Sequence, residues 1–273
     1  MSSIKNMSKQ NSENSFIKLV LSYHNQYGRH DLVWRKKITA YRIIVSEIML
    51  QQTQVARVLP KFNQWMTLYP TLKELRIATF KDILILWQGL GYQRRAKTLC
   101  DISQSYTRIP SSYEKLLEIK GIGKYTAGAV CAFACNKFTY PLLETNIRTA
   151  LIEQFHQRED DIHDHILYDD LLRLEKNSRV QKVGARIWYY ALMDYGAHLK
   201  QQKISHNEKS VHHIKQSPYK GSTRELRAKI LFAVTHGNKL PLDDRTETQL
   251  KILTKEGYII QRGSKYIIAE SNK

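Results

Sequence analysis

Apolar side chains return every three or four residues along most of the first two hundred positions, the period of helices that each bury one face. Phe16, Leu19, Val20 and Tyr23 begin the series, and Gly28 closes that segment before Leu32-Val33-Trp34. Further helical patterns cover roughly 41–50, 55–67, 80–88, 92–106, 112–119, 124–135, 145–155, 166–174 and 183–197. Turn chemistry marks several breaks: Tyr69-Pro70-Thr71, Gly89-Leu90-Gly91, Ile109-Pro110-Ser111-Ser112 and Lys120-Gly121-Ile122-Gly123. The first fifteen residues are polar, rich in Ser, Asn and Lys, and read as a disordered tail. From Lys200 to about residue 217 the chain is basic, polar and histidine-bearing, as a linker is. Beyond it, over 218–273, the pattern changes. Arg224–Val234 and Thr246–Lys255 read as helices, and Tyr258-Ile259-Ile260-Gln261 and Lys265-Tyr266-Ile267-Ile268 as strands joined through Arg262-Gly263-Ser264. Two helices and a β-hairpin predict a small winged-helix-like module, a shape that serves duplex binding and protein docking alike. No internal repeat is visible. A mainly α body is expected.

Charge changes the picture from a helical protein to one with a polyanionic partner. The 273 residues carry 43 Lys+Arg against 25 Asp+Glu, a formal charge of +18. Nucleic acid and anionic membrane surfaces both fit, but the basic residues are spread along the chain rather than lining one amphipathic helix. No apolar run reaches the ~18–20 residues that span a bilayer, and the N-terminus has no apolar signal-peptide centre. Cys100, Cys131 and Cys135 follow neither metal-binding nor disulfide spacing, so buried thiols in a reducing intracellular compartment are expected. His206, His212 and His213 lack cysteine or carboxylate companions at ligand spacing and read as solvated linker histidines.

Three places carry candidate chemistry. Glu47 interrupts the apolar run Ile43-Ile44-Val45-Ser46-Glu47-Ile48-Met49-Leu50. A carboxyl among aliphatic neighbours resists ionisation and can act as a general acid; a solvent-facing Glu47 above a core of its neighbours is the plain alternative. Ile119-Lys120-Gly121-Ile122-Gly123-Lys124-Tyr125-Thr126-Ala127 sets two glycines at the start of a helix whose N–H groups can hold a phosphate, with Lys124 adding charge. Between helices 112–119 and 124–135 it reads as a helix-hairpin-helix, which grips the DNA backbone without reading bases. Glu144 precedes the helix of Asn146 and Ile147, where it is either a helix cap or a second functional carboxylate.

The segments Ser46–Val55 and Trp87-Gln88-Gly89-Leu90-Gly91-Tyr92, together with the Gly121–Ala127 hairpin, resemble the adenine DNA glycosylases. These belong to the helix-hairpin-helix superfamily that includes endonuclease III, and the likeness covers about residues 16–199. It implies a core of two helical lobes with a cleft between them, acting on double-stranded DNA by base flipping to remove adenine mispaired with guanine or 8-oxoguanine. By this resemblance Glu47 protonates adenine N7 and directs water. Glu144 takes the place of an aspartate that stabilises the sugar cation, with Asn146 supporting it. Tyr125 stands where lyase-competent relatives carry lysine, which implies hydrolysis without strand cleavage. Gln52 and Tyr92 match residues that wedge the base stack. Gln51, Gly121, Gly123, Lys124 and Thr126 join them at the DNA, and Trp34, Arg35 and Tyr190 match positions near the base pocket.

The chain departs from the family pattern in four ways. Glu144 adds a methylene to the aspartate. The cysteines of the family's iron–sulfur cluster would fall at Lys200, Asn207, Ser210 and Gln216, so no cluster and no other metal is expected. Tyr190 replaces a Gln or Glu that helps read the adenine edge. The 218–273 tail stands where the family carries an 8-oxoguanine-recognising domain. The expectation is a monofunctional, cofactor-free, monomeric DNA glycosylase of base excision repair, in the cytoplasm with the nucleoid or in a nucleus. Thymine or uracil removal from G·T or G·U pairs is the enzymatic alternative, and a non-catalytic sensor of distorted duplex the other.

Overall fold

The computed structural model describes residues 2–212, 217–241 and 243–270. Among these, fourteen α-helices and one hairpin follow in order: α1 (Ser2–Tyr27), α2 (Val33–Lys36), α3 (Ala40–Leu50), α4 (Val55–Leu68), α5 (Leu72–Ile77), α6 (Phe80–Trp87), α7 (Arg94–Ser105), α8 (Tyr113–Leu117), α9 (Lys124–Cys135), α10 (Thr145–Phe155), α11 (Asp164–Glu175), α12 (Ser178–Gln201), α13 (Thr223–His236), α14 (Asp244–Lys255), β1 (Ile259–Arg262) and β2 (Lys265–Ile268). The mainly α expectation holds. The chain divides into two compact units. One comprises Met1–Ile43, Pro110–Glu118 and Ile122–Lys215; the other comprises Ile44–Ile109, Ile119–Gly121 and Gln216–Lys273.

In the first unit α12 is the central element, with α1 and α10 along it and α9 and α11 beside them. Trp188, Tyr189 and Leu192 of α12 are fully buried. Two glycines make this packing possible. At Gly196 a Cβ would lie 2.0 Å from the Asn146 carbonyl oxygen, so only glycine lets α12 and the start of α10 approach so closely. Gly184 (φ 81°, ψ 167°) breaks α12, and the Asn136 side chain fills the space a Cβ would take, 2.5 Å away.

Two sequence expectations are corrected in this unit. The disordered tail over residues 1–15 is replaced from Ser2 onward by α1. Its polar side chains have distant partners: Glu13 pairs with Arg173, and Asn14 accepts from Asn177 at 3.0 Å. The solvated linker over 200–217 is corrected for its described part. α12 runs to Gln201, and residues after it fold back. Ile162 and Ser210 form a parallel bridge, Lys209 donates to the Gln157 carbonyl at 2.7 Å, and His206 bonds Glu153. Residues 213–216, with His213 and Gln216, lie outside the described residues.

The second unit is built on α4, α6 and α7, with Trp65 and Trp87 meeting edge to face at 5.8 Å. α5, which the periodicity did not predict, is nucleated by a capping box between Thr71 and Glu74. The C-terminal segment belongs to this unit: α13 packs on α6, and Tyr258 lies 5.9 Å from Phe80. Ser222 and Asp243 cap α13 and α14. β1 and β2 pair antiparallel from Ile259↔Ile268 to Arg262↔Lys265, and Gly263 (φ 59°) turns the tight connection. The two helices and hairpin expected of the tail are present.

Candidate active site

The glycine-rich turn has the geometry its sequence demands. Gly121 adopts φ 91°, and a Cβ there would meet the Thr98 hydroxyl oxygen at 2.8 Å. Gly123 is the N-cap of α9 and brings no side-chain acceptor to the helix start, while Lys124 is exposed beside it. A helix N-terminus flanked by a cation suits an anion such as phosphate. Thr126, expected at the DNA, has a buried side chain. Tyr125 is half-buried.

Glu144 caps α10, and its carboxylate is immobilised by four donors. Oε1 accepts from the N–H groups of Asn146 at 2.9 Å and Ile147 at 3.0 Å. Oε2 accepts from the Asn146 amide at 3.2 Å and the Thr145 hydroxyl at 3.3 Å. The plain helix cap and the fixed carboxylate are therefore the same object, with Asn146 in contact. The strand of chain leading into it is also anchored. Tyr189 accepts from the Leu142 N–H at 3.1 Å and donates to Glu175, whose carboxyl burial pushes up to about 7. Nothing in the sequence flags Tyr189 or Glu175; their pairing spans fourteen residues and a break between helices. Lys200 is half-buried; burial lowers its pKa, and the Glu144 charge acts against that shift.

The residues that the sequence places near a base pocket, all in the first unit, form a layered cluster. Tyr190 stacks on Phe133 with ring centres 4.6 Å apart, and the Arg35 guanidinium lies 4.0 Å over its ring. Arg35 is clamped in turn by Asp194, through bonds of 2.8 and 3.1 Å. Asp194 also accepts from Arg29 at 2.6 Å and bonds His24 at 2.9 Å. These donors hold its carboxyl below the usual range despite the opposing cost of burial. Trp34 is buried. Tyr190 retains only 6% exposure.

In the second unit Glu47 is half-buried on α3, between Ile43, Ile44, Val45, Ile48 and Met49, all at most 1% exposed. Gln51 and Gln52 are exposed just beyond the helix. Gln52 (φ 53°) and Tyr92 (φ 46°) both hold left-handed backbone that non-glycine residues seldom adopt. Strain of this kind collects at functional positions when neighbours enforce it. Here the enforcer is Arg95, which sequence reasoning missed. Its guanidinium, 7% exposed, donates to the carbonyls of Ile48, Met49 and Gln51 and to those of Leu90 and Gly91, all within 3.1 Å. It thus ties the end of the Glu47 helix to the turn that carries Tyr92. Burial lowers its pKa to about 10, which still leaves it charged at neutral pH.

The positions where the family's cluster ligands would fall are filled by other chemistry. Asn207 is buried and donates to the Thr149 hydroxyl at 3.3 Å, and the Ser210 hydroxyl accepts from Arg148 at 2.7 Å. Arg148 also pairs with Asp164. Among the described residues no group of three or more His, Cys, Asp or Glu side chains is placed to hold a metal ion. Nor is any helix of the described residues long and apolar enough to cross a membrane.

A glycine turn at a helix start, a carboxylate fixed on the next helix and a strained, arginine-locked turn define a helix-hairpin-helix protein of the glycosylase fold. The chain belongs to the HhH-GPD superfamily of base excision DNA repair proteins, whose family model matches residues 45–227. It is 37% identical over 145 residues to the adenine DNA glycosylase of Buchnera aphidicola, covering 51% of this chain and 41% of that protein. It is 38% identical over 147 residues to that of Mycolicibacterium smegmatis, covering 52% and 50%. The human adenine DNA glycosylase is 37% identical over 134 residues, 44% of this chain and 24% of that one. The match thus spans half or less of each relative's length. Among solved structures, a thermostable thymine-DNA glycosylase superposes with a TM-score of 0.60 at 20% identity, over 74% of this chain and 94% of that one. A trapped endonuclease III–DNA covalent intermediate superposes at 0.54 and 13% identity, over 81% and 94%. At those identities the likeness is one of fold.

Proposed function

We propose that the protein is a monofunctional DNA glycosylase that everts a mispaired base from duplex DNA and hydrolyses its glycosidic bond, with adenine opposite guanine or 8-oxoguanine as the substrate. The observation that carries this reading is the Glu144 carboxylate, fixed by four donors at the start of α10 with Asn146 against it. A pre-oriented anion is what a developing sugar cation requires, because it needs no reorganisation when the charge appears. Glu47, at the edge of an apolar surface, gives its proton to adenine N7. The C1′–N9 electron pair then leaves with the base, and Glu144 faces the cation at C1′. Water adds at C1′ and returns a proton to the Glu47 carboxylate. Tyr125 offers a phenol rather than an amine, so no Schiff base forms and the strand is left intact.

The charge of +18 and the open N-terminus of α9 support duplex DNA as the partner, bound by a monomer acting on DNA within the cell. An iron–sulfur cluster does not suit these residues. Lys200, Asn207 and Ser210 supply no thiolate, and the Arg148–Asp164–Ser210 bonds and the Asn207–Thr149 bond hold the loop by polar contacts instead. The burial of Tyr190 between Phe133 and Arg35 favours a second reading, removal of thymine or uracil opposite guanine, because it presents no amide or carboxyl edge to a purine.

End-labelled duplexes carrying A·8-oxoguanine, A·G, T·G or U·G pairs, incubated with the protein and scored with and without hot alkali, test both readings. Breaks at adenine that need alkali support the proposal, and breaks at the pyrimidine support the second reading. No product on any duplex overturns both and leaves a non-catalytic DNA-binding protein.

A further inference from the structure

Glu144 ends a non-helical stretch, residues 136–144, that joins α9 to α10 within the first unit. This stretch presses closely on α9: a Cβ at Gly128 would lie 2.9 Å from the Tyr140 Cβ and 3.1 Å from the Leu142 Cδ2. Hydroxyl groups hold it as well. The Tyr140 hydroxyl donates to that of Tyr168 on α11 at 3.2 Å, and its ring lies parallel to Tyr113 with centres 5.8 Å apart. Two residues before Glu144, the Leu142 N–H donates to the Tyr189 hydroxyl at 3.1 Å, and that hydroxyl donates to Glu175 at the end of α11. Leu142 and Tyr189 are fully buried, and Glu175 is 8% exposed.

Packing alone does not ask for this pair. Phenylalanine and leucine fill similar volumes, whereas a buried phenol and carboxyl cost free energy unless their polar atoms are bonded. What the pair adds is direction. Glu175 takes the phenol hydrogen and so leaves an oxygen lone pair facing the Leu142 N–H. Two residues span at most about 7 Å, so a fixed N–H at Leu142 restricts where the chain can place Glu144. We propose that Tyr189, oriented by Glu175, is a positioning residue for excision: it fixes the segment that carries Glu144 and thereby sets that carboxylate against the developing sugar cation. This rests on the glycosylase reading, in which Glu144 faces C1′. Both residues act through Glu144 rather than on the DNA.

The test compares the full chain with Tyr189→Phe, Glu175→Leu and Glu175→Gln. It reads single-turnover excision of adenine opposite 8-oxoguanine, affinity for a duplex with an abasic analogue, and amide hydrogen exchange. Tyr189→Phe keeps the ring but takes the acceptor from the Leu142 N–H. Excision slows at least about tenfold, since a 1 Å misplacement costs roughly a hundredfold, while affinity is unchanged. Exchange quickens at Asn146 and Ile147, whose N–H groups donate to Glu144, more than across the remaining helices of the first unit. Glu175→Leu leaves the phenol hydrogen unpaired and slows excision too, whereas Glu175→Gln offers it an amide oxygen and keeps the wild-type rate. A wild-type rate in Tyr189→Phe, or unchanged exchange at Asn146 and Ile147, overturns the positioning role alone. Exchange that quickens equally throughout the first unit overturns it as well, because it marks a general loosening. A wild type that excises no adenine overturns the glycosylase reading, while the exchange result still decides whether Tyr189 fixes Glu144.

Discussion

Replacing Arg95 by lysine keeps the charge and most of the length of the side chain but removes its fork. In the wild type, one terminal nitrogen serves the carbonyls of Ile48, Met49 and Gln51 at 2.8, 2.9 and 2.6 Å, closing the end of α3. The other serves the carbonyls of Leu90 and Gly91 and the Thr53 hydroxyl at 2.7, 3.1 and 3.1 Å. An ammonium has three N–H bonds on one atom and reaches only one of the two sets of acceptors that the fork spans. The Thr53 hydroxyl already donates to Leu90 at 3.2 Å and softens part of the loss. The Gly91 carbonyl also keeps the Trp87 indole N–H at 2.9 Å, so one or two acceptors are left without a donor, at about 1 kcal/mol or more each, and Arg95→Lys should cost roughly 1–2 kcal/mol. That is a large share of the roughly 5–15 kcal/mol that holds a typical domain together. Urea unfolding followed by tryptophan fluorescence measures it. The same bonds hold Gln52 and Tyr92 in left-handed backbone, so the variant should also lose preference for an abasic over a paired duplex, by about tenfold or more. A loss of stability under 0.5 kcal/mol, or an unchanged preference, refutes the assignment of Arg95 as the lock on that turn.

Other residues give separate expectations. Glu175 has its folded-state pKa raised from 4.5 to about 7, so the folded state keeps a proton that the unfolded chain releases. Stability is therefore lost as pH rises from about 4.5 to 7, by about 3 kcal/mol, and Glu175→Gln should remove that slope; parallel urea midpoints for the two proteins between pH 5 and 8 contradict it. Gly196→Ala drives a methyl into the Asn146 carbonyl and should cost about 2–3 kcal/mol while slowing excision through displacement of Glu144; a thermal melt and a single-turnover rate read both, and unchanged values would show the close approach to be dispensable. Glu144→Asp restores the shorter carboxylate, itself a favoured N-cap, and should keep or raise the excision rate; a fall of more than about tenfold means that the longer side chain is required for the chemistry.

Strong helical periodicity made α3, α4, α6, α9 and α10 legible, since each buries a continuous apolar face. α5 was missed because six residues are too few for periodicity to register, although Thr71 and Glu74 stood at capping-box spacing. α1 was misread because its first half has no apolar stripe; Glu13 and Asn14 find their partners at Arg173 and Asn177, and such pairings have no local signature. The same limit hid Arg95. A basic residue three places after Tyr92 looks like surface charge until the chain folds five carbonyls around it. The carboxylates at 47 and 144 were visible because each breaks a local rule, one by interrupting an apolar run and the other by sitting at a helix start. Whether Tyr190 reads a base or packs a core could not be seen in sequence; its stacking between Phe133 and Arg35 depends on three separate segments.

The most direct trial of the proposed chemistry is single-turnover excision of adenine from an A·8-oxoguanine or A·G duplex by the wild type and by Glu47→Gln, with affinity for each duplex measured alongside. An amide cannot deliver the proton, so the variant should bind as the wild type does and yield no alkali-labile product. Excision at the wild-type rate by Glu47→Gln would contradict the account.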